Sequence, residues 1–273
     1  MPHRFAFRRH RFAATQCFAT GIVLVGCLAL TACATSPKSD ASYERSMQLA
    51  ADLEKRGDPA TAAAFYQRAT QQPEAGPQTW LKLGQALLDG NDTRGAERAF
   101  QRALELKPDD TDALLGLGTA QLRQGKLERA VTALTQAANG AQQPKAWNRL
   151  GIAQILRGQT EPAQAAFSRS LGLAPNDLDT RCNLALAYAL GGDNQKALQT
   201  IGPVSQSPLS QARHQRNELL IKVLAGHEQD LATASFDSIP TSERQQLVTE
   251  ARRIKALGEP AAQARELGLV DER

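Results

Sequence analysis

The feature that most constrains this chain is a spacing of 33 or 34 residues that recurs through its middle. Both tryptophans, Trp80 and Trp147, are followed by leucine three residues later and glycine four later, as Leu83-Gly84 and Leu150-Gly151. Midway between them sits Leu114-Leu115-Gly116-Leu117-Gly118. Downstream of each come an alanine, a large apolar residue four later and a small residue three later: Ala96/Phe100/Ala103, Ala130/Leu134/Ala137 and Ala163/Phe167/Ser170. Pro108 and Pro175 close the first and third of these blocks. A period of this length marks an array of small supersecondary units, each unable to bury its apolar face without a neighbour. Composition makes the units helical. Alanine, leucine and glutamine recur, β-branched residues are few and aromatics are only 5%, which favours helix over a sandwich or jelly roll.

These blocks resemble the tetratricopeptide repeat, a pair of antiparallel helices. The resemblance implies an all-α solenoid of five to six helix-turn-helix units with a C-terminal capping helix. Continuing the frame gives units 43–76, 77–110, 111–143, 144–177 and 178–211. The outer two are degenerate. The first keeps Leu49, Gly57, Ala62, Tyr66 and Ala69, and the fifth keeps Leu184, Ala185, Tyr188, Gly192, Ala197 and Ile201. Residues 212–236 form a worn sixth unit around Leu219, Gly226, Ala232 and Phe236. Small residues at positions eight and twenty let the paired helices approach, larger ones fill the space between units, and the late proline stops the second helix. Residues 212–273 hold this unit and the cap. Within the cap, Ser242 and Gln245 have capping-box spacing before a stripe of Leu247, Val248, Ala251 and Ile254, and Gly258 ends that helix.

Residues 1–32 read as an export signal: a basic start (Arg4, Arg8, Arg9, Arg11), an apolar stretch from Phe18 to Leu30 too short to span a bilayer, then small residues. Those four arginines account for the net charge of +4, because the remaining 28 Lys and Arg face 28 Asp and Glu. Nucleic-acid binding thereby loses its support. Leu30-Thr31-Ala32-Cys33 resembles a bacterial lipobox, which implies cleavage before Cys33, lipidation of its thiol and several acyl chains anchoring the protein to a membrane. Ala34 after the cysteine implies sorting to the outer membrane, periplasm-facing. Residues 33–42 then form a lipidated tether. Cys17 and Cys27 leave with the signal, so the folded part keeps only Cys182 and no internal disulfide.

No catalytic constellation stands out. His214 and His227 lack ligand spacing, no phosphate-binding loop or nucleophile elbow occurs, and no cofactor, metal or small-molecule substrate is implied. Glu97, Glu105, Asp109 and Asp110 are expected on solvated faces and turns. Cys182 is expected as small packing. The chain is read as no enzyme.

In the repeat family the concave face carries positions 2, 5, 9, 12 and 13 of each first helix. Carried onto this chain, these positions grow apolar toward units four and five. The partner-binding residues implied are Leu115, Leu122, Asn148, Ile152, Ile155, Leu156, Leu186 and Leu190. An exposed patch of that kind would take an amphipathic helix or extended apolar segment. The competing expectation is intramolecular, with the 243–257 helix or the superhelix itself covering it. The carboxylate clamp of chaperone-binding repeats is not reproduced by Asn148 and Asn183. Taken together, the lipobox, repeats and ending resemble the TadD-type lipoprotein of the tight adherence (Flp) pilus. That resemblance implies a non-catalytic scaffold whose protein partners are a secretin or other envelope-machine components. Rival resemblances are the type IV pilus pilotin, the β-barrel-assembly lipoprotein and a lipoprotein that docks a peptidoglycan enzyme.

Overall fold

The computed structural model describes residues 37–232 and 236–268. The signal and Cys33 lie outside them, so the cleavage and lipidation expectations concern residues the structure does not reach. Five helical hairpins follow one another: α1 (Pro37–Lys55) with α2 (Pro59–Ala69), α3 (Pro77–Asp89) with α4 (Thr93–Leu106), α5 (Thr111–Arg123) with α6 (Leu127–Gly140), α7 (Pro144–Leu156) with α8 (Thr160–Leu173), and α9 (Leu178–Leu190) with α10 (Asn194–Ser205). No strand occurs among the described residues. α1 begins inside the stretch expected to be a tether, since the backbone is helical from Pro37.

Local chemistry sets these boundaries. Asp58, Asp92 and Asp193 cap second helices by accepting hydrogen bonds from Thr61, Gly95 and Lys196 N–H groups, while Asp110 and Asp177 do the same for first helices. Pro59, Pro77 and Pro144 open helices where no N–H is required. Within each hairpin the turn passes through one left-handed residue: Gly57, Asn91, Gly125, Gly158 and Gly192. The next N–H reaches back to close the helix end, as from Asp58 to the Leu53 carbonyl and from Asp193 to Tyr188. Asn91 is the one non-glycine residue with positive φ among those described.

The packing rule of the repeat is visible in burial. Position 24 is filled by Tyr66, Phe100, Leu134, Phe167 and Ile201, none more than 1% exposed. Opposite them stand Ala50, Gly84, Gly118, Gly151 and Ala185. In the first unit Ala50 takes this place and Leu49 stays exposed. A Cβ on Gly84 or on Gly116 would lie 2.6 or 2.4 Å from the Phe100 ring, so that ring is wedged between two repeats by the absence of side chains. Each helix packs on the next, and α3, α5, α7 and α9 also touch in sequence along the inner side.

The sixth unit starts in frame and then departs from it. α11 (Ala212–Leu224) packs on α9 and α10, and Gly226 keeps the left-handed turn. A 3-10 turn, Glu228–Ala232, replaces the second helix. α12 (Thr241–Lys255) supplies the missing contact, closing a cluster of Leu219, Val223, Phe236, Ile239 and Ala251 with Leu247 and Val248 at its edge. The capping box expected at Ser242 and Gln245 does not form, because α12 begins two residues earlier with Pro240 at the cap position. After Gly258 the chain reverses into α13 (Pro260–Glu266), which lies on α7 and α9.

Candidate protein-binding groove

The odd-numbered helices present two unlike stretches of inner surface. The first spans α3, α5 and the start of α7 and is open. Its cavity of about 1480 Å³ is lined by Gln85, Leu88, Asp89, Leu115, Thr119 and Arg123, with Lys145 at its edge. Arg123 is held in place by donating to the Leu88 carbonyl at 2.8 Å. Asp112 accepts from the Gln143 amide at 2.9 Å, bridging α5 to the start of α7. Lys82 sits 4.0 Å from Glu54, which also accepts the Tyr66 hydroxyl at 2.9 Å. Burial, then the bond to Glu54, pushes Tyr66 ionisation above its ordinary range.

The second stretch, on α7 and α9, holds most of the residues that the repeat frame assigned to partner binding, and they are not exposed. Ile152, Ile155 and Leu156 are each 1% exposed, and Leu186 and Leu190 are buried as well. They share one core cluster with Ile221, Leu224, Ile254 and Ala264 of the C-terminal helices. The apolar patch is therefore covered by the chain itself. The cover comes from α13, which lies on α7 and α9, from α11 on α9, and from Ile254 of the 243–257 helix, which otherwise packs on α11. Leu122 is likewise buried at 1%, and only Leu115 of the assigned apolar residues lines the open groove. Asn148 is spent on structure: its amide donates to the Thr180 hydroxyl and its carbonyl accepts from Asn183 at 3.3 Å.

Polar networks tie neighbouring units together where a solvated face was expected. Glu97, on α4, is buried and accepts Lys126 at 2.6 Å and Gln124 at 3.0 Å, both from the next repeat. Burial works to raise its pKa, but the bonds from Lys126 and Gln124 outweigh this and hold it below the ordinary value. The sequence spacing of 29 residues between Glu97 and Lys126, close to one repeat, is the signal that could have revealed this pair. Glu105, paired with Arg102, and Asp109 are on the surface as expected, whereas Asp110 is largely sheltered, capping α5 and pairing with Lys107.

His214 is buried and fully engaged. Its Nδ1 accepts the Gln211 N–H at 2.9 Å, so Nε2 carries the hydrogen and donates to Asp179 at 2.9 Å. Arg213 donates twice to the same carboxylate. Against the raising effect of burial, the Arg213 and His214 bonds keep Asp179 below its ordinary value. His227 stands half-exposed beside Asp230 at 3.3 Å. Cys182 is buried in the core. Among the described residues no group of three or more His, Cys, Asp and Glu could hold a metal ion.

Comparison with known families matches residues 47–206, more than half of the chain, to the Cilia and flagella-associated protein 70 middle TPR-like domain. The chain belongs to this TPR-like family. Curated relatives of the TPR-like array include the Protein CTR9 homolog of Arabidopsis thaliana, 27% identical over 161 residues, covering 55% of this chain and 15% of that protein. Another is the Cellulose synthase operon protein C of Xanthomonas axonopodis pv. citri (strain 306), 28% identical, covering 65% of this chain and 12% of that protein. The chain thus spans less than one-sixth of these relatives. Among solved structures, the TPR-like fold is shared with PilW, a widely conserved type IV pilus biogenesis factor (TM-score 0.64, 22% identity, 78% of this chain and 99% of that one). It is also shared with Pseudomonas aeruginosa PilF (TM-score 0.59, 17% identity, 72% and 90%). At these identities the likeness is one of fold.

Proposed function

We propose that this protein is a non-catalytic scaffold, anchored through lipid on Cys33 to the outer membrane and facing the periplasm, that helps a pilus or secretion machine assemble. The observation that carries the scaffold reading is the open groove on α3, α5 and α7, a concave surface of mixed charge with Leu115 half-sheltered and Leu88 buried in its lining. Such a surface suits an extended or helical segment of another protein, with apolar anchors inside a polar rim. The lipobox and the order of segments support the tight adherence pilus as the machine. The type IV pilus pilotin is the second reading, favoured by the fold shared with PilW and PilF.

The test is capture from detergent-solubilised envelopes by the full-length protein and by Leu115→Glu plus Arg123→Glu. Circular dichroism and gel filtration establish that the double variant is folded. The expected result is a secretin or pilus component retained by the wild type and lost with the variant. Capture of cell-wall enzymes instead would replace the pilus assignment, and unchanged capture by the variant would remove the open groove as the docking surface.

A further inference from the structure

The outer face of α4 carries charge that the repeats themselves do not use. Arg94, Arg98 and Arg102 stand at i, i+4 and i+8, a stripe about 12 Å long. Like charges at that spacing cost a helix stability. The two glutamates of α4 do not offset them all. Glu97 is buried and taken by Lys126 of the next repeat at 2.6 Å, and Glu105 pairs with Arg102. Asp92, at the helix start, accepts the Gly95 N–H at 2.8 Å. Arg94 and Arg98 are exposed, and among the described residues neither has an ion pair or hydrogen bond.

Cations on the other outer helices are engaged. Arg68 of α2 lies 5.6 Å from the centre of the Phe65 ring, Arg169 of α8 lies 5.9 Å from that of Trp147, and Lys196 of α10 is 2.7 Å from Asp193. The neighbouring α6 instead adds to the patch. Arg129, one turn after Lys126, is exposed and unpaired among the described residues, while Glu128 beside it is 3.5 Å from Arg157. Between α4 and the start of α6 the surface forms a cavity of about 610 Å³, lined by Arg94, Arg98, Gln101, Gln124 and Lys126 over the Glu97 carboxylate. No aliphatic or aromatic side chain lines it. Donors and positive charge without an apolar anchor suit a phosphate, whose oxygens a guanidinium fork meets two at a time. A protein segment docks through an apolar centre inside a polar rim, and this cavity has no such centre.

We propose that the outer face of α4 and the start of α6 seats anionic phospholipid headgroups, with Arg94 and Arg98 on a phosphate and Arg129 beside them. The repeats then lie with this face on the membrane, and the groove on α3, α5 and α7 is left free for a protein. The anchor makes weak contacts of this kind sufficient. Cys33 precedes Pro37 by four residues, so acyl chains there hold the repeats within about 14 Å of the bilayer, where headgroups are at high effective concentration. The inference rests on the lipid-anchored reading for where the protein sits, and on the patch alone for its chemistry.

The test mixes the full-length protein with vesicles of phosphatidylcholine alone, or with a third of the lipid replaced by phosphatidylglycerol, and reads arginine reactivity toward phenylglyoxal by mass spectrometry. Flotation with the phosphatidylcholine vesicles reports the anchor by itself, so anchor and patch can fail separately. Arg94 and Arg98 are expected to react at least fivefold more slowly on the anionic vesicles and to recover in high salt, with the exposed Arg265 of α13 unchanged. In the variant Arg94→Gln plus Arg98→Gln, shown by circular dichroism to be folded, the shielding of Arg129 is expected to disappear. Equal reactivity of Arg94 and Arg98 on the two vesicles overturns the proposal, as does shielding of Arg129 that survives the double substitution. Shielding by soluble polyglutamate with none on the anionic vesicles overturns it in favour of an acidic protein segment.

Discussion

The inner faces of α3 and α5 and those of α7 and α9 follow one repeat frame and end differently. On α3 and α5 positions nine and thirteen carry Gln85, Asp89, Thr119 and Arg123, polar groups met by water or, for Thr119 and Arg123, by the Leu115 and Leu88 carbonyls, and the surface stays open. On α7 and α9 the equivalent positions carry Ile152, Leu156, Leu186 and Leu190, which water cannot reward, and the C-terminal helices fold back to cover them. The lesson is that a repeat frame dictates where an inner surface lies but not whether it is free. Polarity of a few positions decides that, through what the rest of the chain then does.

The largest expected effect tests whether the two halves unfold together. Phe100→Ala and Phe167→Ala each remove a buried ring and should cost about 3–5 kcal/mol. Because a solenoid is stabilised mainly by nearest neighbours, Phe100→Ala is expected to open α3 to α6 early in native-state hydrogen exchange. Phe167→Ala is expected to lower protection in α7 to α11 together, because α13 and α11 bind that half to the C-terminal helices. Identical exchange patterns in the two variants would erase the distinction between the halves.

A smaller effect concerns the glycine wedge. Gly116→Ala places a methyl against the buried Phe100 ring and should destabilise by about 1–3 kcal/mol through overpacking, measured by urea denaturation. At Gly172, where a Cβ would meet nothing within 4 Å, alanine should stabilise slightly or do nothing.

Acid should act on both halves through carboxylates whose folded values are lowered, Glu97 in the open half and Asp179 in the covered one. A lowered folded value contributes stability that is complete above the ordinary value, 4.5 for Glu97 and 3.8 for Asp179, and is lost as the pH falls through the folded value. Melting temperature is therefore expected to hold from pH 7 to about 5 and to decline below it. Glu97→Gln should flatten the upper part of that decline while lowering stability at pH 7 by about 1–3 kcal/mol, since a buried acceptor for Lys126 is weakened. A melting curve for Glu97→Gln that tracks the wild type at every pH would show the pair to be idle.

The smallest effects lie at helix ends. Asp177→Ala removes the cap of α9, with its bonds to the Asp179 and Thr180 N–H groups, and should cost about 1 kcal/mol. Asn91→Gly relieves the left-handed strain in the α3–α4 turn and should gain a few tenths of a kcal/mol up to about 1. Chemical denaturation of both variants measures the two signs.

Much of the fold was legible because a solenoid is local. The spacing of Gly84, Gly118 and Gly151 against Phe100, Leu134 and Phe167 encodes contacts made within one repeat or between adjacent ones. The candidate site was less legible. Groove positions could be numbered from the frame, yet the cover over the α7 and α9 surface comes from helices that follow the repeats, α11, α12 and α13. Glu97 looked solvated because its partner Lys126 lies 29 residues away, a separation that shows only once the repeats are laid side by side. The departure of the sixth unit, with α12 standing in for a second helix after a 3-10 turn, likewise follows from the need to close Leu219, Val223 and Phe236, not from any residue within the turn.

By itself the sequence determined the helical hairpins, their period and the wedge of large residues against small ones, because these interactions join residues no more than about one repeat apart. Only the tertiary structure decided which stretch of inner surface is open. The free energy of covering an apolar face depends on whichever segment can reach it, and reach is a property of the folded chain.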